Sequence, residues 1–195
     1  MNSREKILEQ VRKNQPPPSS LPELNPVRTG SSDILNGFIR SVGNIGGIAI
    51  EANDWKEIDA QLQERFIPTS RWISMIPQVR SRLLNGDLEK DPRSLENVSV
   101  AILAGHFCVA ENGAVWITEE NMGDRALPFI CEHLVLVVSA SAVCETMHDA
   151  YERIGSSSPH FGTFIAGPSK TADIEQSLVL GAHGPKTLTV FLLHA

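Results

Sequence analysis

Three runs, VSVAILAG (98–105), HLVLVVSA (133–140) and TLTVFLLH (187–194), are almost wholly apolar and rich in β-branched residues. Segments of that length and make-up read as strands, and a strand without a polar face must be covered on both sides. The covers are present in the sequence. SSDILNGFIRSVGNIGG (31–47) places Ile34, Leu35, Phe38, Ile39 and Val42 on one helical face. Ser31 or Ser32 is its expected N-cap, and Gly43, Gly46 and Gly47 end it. NDWKEIDAQLQERF (53–66) does the same with Trp55, Ile58, Leu62 and Phe66. Between and beyond them GIAIEA, RWISMIP, FCVAENGAVWIT and HFGTFIAG read as further strands, and SAVCETMHDAYERI as one long helix with Val143, Met147, Tyr151 and Ile154 on its core face. Alternation of this kind predicts an α/β fold: an open, mostly parallel sheet with helices on both faces.

The N-terminal end is organised differently. Residues 3–14 place Ile7, Leu8 and Val11 on one helical face with Ser3 as the expected cap, and QPPPSSLPELNP (15–26) then forbids regular structure. The expected division is a helical arm with a proline-rich linker over 1–26 and an α/β domain over 27–195. The arm packs on the body or on a neighbouring chain, which leaves self-association open.

Charge and cysteine usage narrow the partners. A formal net charge of -6 gives no general attraction to nucleic acid or anionic lipid, and no lysine–arginine cluster offsets it. The three cysteines, Cys108, Cys131 and Cys144, make no CxxC pair and no zinc or iron–sulfur spacing, so they read as buried thiols of a reducing compartment. The six histidines include no HExxH, and no metal ligand is assigned. No segment reaches the ~20 apolar residues of a membrane span. The first residues, MNSREKILEQVRKN, have no apolar signal region, so the expected location is the cytoplasm.

Two turns carry candidate chemistry. GPSKTADIE (167–175) leaves a strand through Gly167-Pro168 and is expected to enter a short helix capped by Thr171, with Asp173 and Glu175 in its first turn. Capping accounts for Thr171 and Asp173. It leaves Ser169 and Lys170 beside turn amides at the C-terminal end of a strand, where open α/β sheets hold ligands, so a small anion is the alternative reading. The stretch is not a P-loop, because Ser169 and Phe164 stand where that motif needs glycines. GNIGG (43–47) likewise has the wrong spacing for a dinucleotide site. In the second turn, VAENGAVW (109–116), Asn112-Gly113 is a hairpin signal. Glu111 beside it is either solvated or a base or nucleophile on a rigid turn. His183, between glycines in GAHGP (181–185), is either structural or catalytic.

These residues resemble the LUD-domain family of lactate utilization proteins, specifically the short C component. GPSKTADIE matches the family signature from Gly167 to Glu175, and GAHGP matches its second part from Gly181 to Pro185, Gly184 included. Arg125 and Pro128 match an Arg…Pro pair ahead of the next strand. The similarity runs over about residues 98–193. Asn112 and Ala114 depart from the threonines usual in the glutamate turn, while Glu111 and Gly113 remain. The resemblance implies a fold like that of the sugar-isomerase and CoA-transferase superfamily, a Rossmann-like α/β layer arrangement, and a part in oxidising L-lactate to pyruvate. It implies two partner proteins that carry the iron–sulfur clusters, with no cofactor in this chain. In that reading Lys170 and Arg125 hold a small carboxylate, His183 contacts its hydroxyl or carbonyl, and the 167–171 turn supplies amides. Alternatively, Glu111 acts as the nucleophile of an acyl transfer, as in CoA-transferases, or the chain is an interaction module without a ligand. The shared-site reading expects Gly167–Thr171 and Gly181–Pro185 side by side, with Glu111 facing them across one cleft.

Overall fold

The computed structural model describes residues 2–20, 22, 33–66, 71–80, 91–155, 159–171 and 179–194. In chain order the elements begin with α1 (Ser3–Lys13), α2 (Ile34–Asn44), β1 (Ile48–Ala52), α3 (Trp55–Arg65), β2 (Trp72–Ser74) and α4 (Pro77–Arg80). A 3-10 turn (Pro92–Leu95) leads to β3 (Val100–Ala104), β4 (Phe107–Val109), β5 (Ala114–Thr118), α5 (Glu119–Met122) and α6 (Leu127–Ile130). Then come β6 (His133–Ser139), β7 (Val143–Cys144), α7 (Met147–Ile154), β8 (Gly162–Ile165), β9 (Lys170–Thr171), β10 (Val179–Leu180) and β11 (Thr187–Leu193).

The apolar runs form the centre of a five-stranded parallel sheet, ordered β1-β11-β6-β3-β2. Because side chains alternate along a strand, each run feeds two cores. Val100, Ile102, Val135, Val137 and Phe191 pack with Ile58 and Leu62 of α3 on one face. Ala101, Leu103, Leu134, Leu136, Val190 and Leu192 face the other way, toward Phe38 and Val42 of α2. The expected α/β architecture is present.

That second face has a further cover. A four-stranded sheet, β7-β4-β5-β8, lies there and contributes Cys108, Val109, Val115 and Ile117 to the core. The β4–β5 hairpin is antiparallel, as Asn112-Gly113 foretold, and β8 pairs antiparallel with β5. β8 is therefore not a strand of the parallel sheet. The segment expected as one long helix is divided: Val143–Cys144 pairs with β4, and α7 starts only at Met147. Thr146 and Asp149 form its capping box, and backbone amides of Cys108 and Ala110 bond to carbonyls of Ala142 and Cys144. Tyr151 accordingly turns outward, 63% exposed.

Smaller differences sit at helix starts. Asn2, not Ser3, caps α1 through a capping box with Glu5, and no residue of α1 is buried. Asp33 caps α2 by accepting from the Asn36 amide. The domain boundary expected near residue 26 lies outside the described residues.

Candidate functional site

The two signature turns are bonded to one another. The Ser169 amide donates to Pro185 O at 2.9 Å and the Gly181 amide to Ser169 O at 3.0 Å. A Cβ on Gly184 would fall 3.1 Å from Ser169 Cβ, so the backbones touch where a larger residue would part them. Pro168 and Pro185 are buried beneath, while Lys170 and His183 are exposed. Lys170 and Thr171 are extended and pair with Val179–Leu180. Asp173 and Glu175, with the helix expected around them, lie outside the described residues.

The double turn is at the amino edge of the parallel sheet, because Gly184–Lys186 lead directly into β11. Beside it, Glu132 leads into β6: the Lys186 amide donates to Glu132 O at 2.8 Å, and Lys186 Nζ meets Glu132 Oε1 at 2.5 Å. That lysine holds the Glu132 carboxyl below its usual range. Lys170 Nζ comes 3.4 Å from the position of a Cβ on Gly46, just before β1. The expectation had been the carboxyl edge of an open sheet. The physical reason for the difference is that β8 belongs to the second sheet and delivers its turn to the opposite end. A cavity of about 470 Å³ opens here, lined by Glu96, Asn97, Ser99, Glu132, Gly184 and Lys186 among others.

Glu111 is held on the hairpin turn, against α2. Ser41 Oγ donates to Ala110 O at 2.6 Å. Gly113 has φ +72°, and a Cβ there would lie 2.9 Å from Val42 N. At Gly167, with φ +73°, a Cβ would likewise fall 2.9 Å from Ile45 O, and Ile45 Cδ1 lies 3.1 and 3.4 Å from where a Cβ would stand on Gly113 and Gly167. The glutamate turn and the signature turn thus meet through Ile45. The carboxylate of Glu111 itself points elsewhere: its Oε2 accepts from the Met147 amide at 2.8 Å, at the start of α7. It lines a cavity of about 590 Å³ with Arg40, Ser41, Asn44 and Thr146. This cavity and that at Gly184 have no described lining residue in common. Sequence reasoning missed Arg40 and Asn44, whose i, i+4 spacing on α2 was the available signal.

Arg125 is engaged away from both turns. Its Nε and Nη2 donate to Glu119 Oε2 at 2.8 and 2.6 Å, and its guanidinium stacks 5.4 Å from the Phe161 ring centroid. The three cysteines are free and buried, and burial pushes the Cys108 and Cys131 thiols up to about 12. Neither is a thiolate at neutral pH, which suits packing and not nucleophilic chemistry. Among the described residues, no three His, Cys, Asp or Glu side chains gather as a metal site, and no helix is long and apolar enough to cross a membrane.

Comparison with known proteins matches the same stretch. A family model described as the LUD domain covers residues 80–193. Lactate utilization protein C from Geobacillus kaustophilus is 36% identical over 46% of this chain and 40% of its own length. Lactate utilization protein C 1 from Bacillus mycoides is 29% identical over 51% of this chain and 45% of its own. The matched region thus spans less than half the length of these relatives. The crystal structure of a DUF162-family protein from Deinococcus radiodurans superposes with a TM-score of 0.63 at 16% identity, over 83% of this chain and 97% of that one. At that identity the likeness concerns the fold.

Proposed function

The chain belongs to the LUD-domain family, and from that premise we propose that it is a component of an L-lactate utilization system, the subunit that carries no redox group and binds a small carboxylate. The observation that supports this most is the bonded pair of signature turns with Lys170 beside them. Lys170 Nζ has no hydrogen-bond or ion-pair partner among the described residues, and an ammonium over glycine backbone suits a small anion. The ammonium takes the carboxylate, and the exposed His183 meets the neighbouring hydroxyl or carbonyl oxygen. Arg125 already serves Glu119, so Lys170 carries the charge alone. The Ser169 amide is spent on Pro185 O and fixes the turn instead of the ligand. Iron–sulfur partner proteins take the electrons.

The test is a reconstituted complex with Lys170→Ala. Lactate-dependent electron transfer falls by about tenfold or more if one charge-assisted contact is lost; undiminished transfer overturns the reading. Affinity purification from the native host adds the partners: iron–sulfur proteins co-purify with the tagged chain.

A second reading has its own observation. Glu111 lines a cavity beside Arg40, and its Oε1 makes no hydrogen bond among the described residues. Acyl transfer through Glu111 then requires that incubation with acyl-CoAs and borohydride changes the mass of the Glu111 peptide. An unchanged peptide removes it.

A further inference from the structure

Across the outer face of the second sheet runs a row of aromatic rings. The register pairs Phe107 with Trp116 and Trp116 with Phe164. Phe107 and Trp116 stack at 6.5 Å with an interplanar angle of 26°, and Trp116 and Phe164 meet at 4.7 Å. The Trp116 ring is laid down over Gly162: a Cβ there would be 2.5 Å from its Cη2 and Cζ2. A glycine facing a tryptophan in this way fixes the indole as a flat, rigid surface. Gly162 is thus a positioning residue for the ring.

Two groups overhang this floor without an anionic partner among the described residues. Arg153 of α7 lies 4.9 Å over the Phe107 ring centroid, and among the described residues its guanidinium has no carboxylate partner. His106 lies at the other end, with Nε2 2.7 Å from Thr118 Oγ1 and 3.3 Å from Asn121 Nδ2. The Asn121 amide nitrogen also donates to Ala104 O at 3.0 Å, which fixes its orientation. It can only donate, so in the neutral ring Nε2 is the acceptor and Nδ1 carries the hydrogen. That Nδ1–H has no acceptor among the described residues. Between these groups is a cleft of about 510 Å³, walled by Ile154 and Pro159 and including one carboxylate, Glu120. Its volume is within the range of about 300–1,000 Å³ that small-molecule sites occupy.

We propose that this cleft binds a flat heteroaromatic ring carrying a phosphate, a ligand of mononucleotide type, with the ring on Trp116 and the phosphate between Arg153 and His106. Aromatic floors accept any heteroaromatic π-face. A guanidinium with free donors and an imidazole N–H supply what a phosphate requires. The site is separate from the signature turns, so its fate is independent of the lactate-utilization reading.

Calorimetric titration of the full chain with AMP, FMN, adenosine, riboflavin and inorganic phosphate tests it. At least one nucleotide binds saturably and about tenfold more tightly than its own nucleoside, while inorganic phosphate alone binds far more weakly. Arg153→Gln, at an exposed position, removes that preference to within about twofold, the level of a near-neutral contact. Trp116→Leu weakens nucleotide and nucleoside alike, with circular dichroism verifying the fold. Absence of saturable binding by both nucleotides overturns the proposal, as does nucleotide binding that Arg153→Gln leaves intact.

Discussion

The two sheets divide the labour of the molecule. In the parallel sheet β6 and β11 run seven residues each and are buried over Leu134–Val138 and Leu188–Leu193. Strands covered on both faces leave few positions for a polar side chain, Thr189 of β11 and Ser74 of β2 being small hydroxyls buried within them, so this sheet offers chemistry chiefly at the loops along its edges. The second sheet has strands of two to five residues, with one face in the core and the other carrying the buried Phe107 and the half-buried Trp116 and Phe164. Nearly every candidate group belongs to it. Glu111 is on its hairpin, Gly167–Lys170 follow its edge strand, and His106, Trp116 and Arg153 stand on or over its outer face. A scaffold that must be largely apolar and a platform that need not be are separate structures, joined at α2 and Ile45.

The largest effect that can break this comparison is on stability. Leu136 is fully buried in the parallel sheet, and Leu136→Ala costs about 2–5 kcal/mol. Ile165, half-buried on β8, gives a clearly smaller loss as Ile165→Ala. Urea unfolding midpoints compare the two at constant m-value. Equal losses would mean that the second sheet is as much scaffold as the first.

Next in size is a pair of glycine substitutions that sharpens where the platform is attached. Gly113→Ala places a Cβ 2.9 Å from Val42 N in a residue at φ +72°, and such a position costs about 1–3 kcal/mol. Gly43→Ala, on the helix that Gly113 packs against, meets nothing within 4 Å. There the exchange is neutral or stabilising by up to about 1 kcal/mol. Thermal unfolding should therefore fall for Gly113→Ala and stay level or rise for Gly43→Ala. If Gly113→Ala is harmless, the Glu111 turn is not locked on α2 and its cavity is loose.

The same division explains what the sequence disclosed. The runs at β3, β6 and β11 were legible because burial on both faces leaves a composition signal that needs no knowledge of neighbours. The hairpin was legible from Asn112-Gly113, a local steric requirement. The second sheet was not, since β7 and β8 are defined by partners far along the chain: Val143 by Cys108, and Gly162 by Thr118. Read alone, Val143, Met147 and Tyr151 fit a helical stripe. Thr146-x-x-Asp149 was the local sign that the helix begins later. The neighbourhood of the two signature turns was legible from their short separation. Their edge of the sheet was not, because it depends on which sheet β8 joins. Arg153 and His106 escaped notice because a cross-strand aromatic row exists only after the register is known.

The smallest expected effect is a pH dependence, and it probes the parallel sheet at the one strand residue whose pKa is displaced there among the described residues. His133 opens β6, with Nδ1 2.8 Å from Thr187 Oγ1 and its ring 5.3 Å from Phe66. Burial lowers its pKa, Glu132 opposes that, and Lys186 adds to it; Arg65 is the other charged group lining the same hollow. A histidine with a depressed pKa binds fewer protons folded than unfolded. Its contribution is therefore complete above the unfolded value of about 6.5 and is lost as pH falls through the lower folded value. Unfolding midpoints of the native chain should decline on acidification from about pH 7 to 5.5. His133→Gln, which retains a hydrogen-bonding group for Thr187, should show a shallower decline over that interval. The ring is only partly buried, so solvent screening keeps the difference small. Glu132, held low by Lys186, contributes in the same direction but only once pH drops below about 4.5. Its titration is therefore separated from that of His133 along the pH axis. Parallel lines for the two proteins between pH 7 and 5.5 would mean that His133 is as hydrated in the folded state as in the unfolded one. The amino edge of β6 would then be open to water, and the parallel sheet would end as a platform does, with a face free for chemistry.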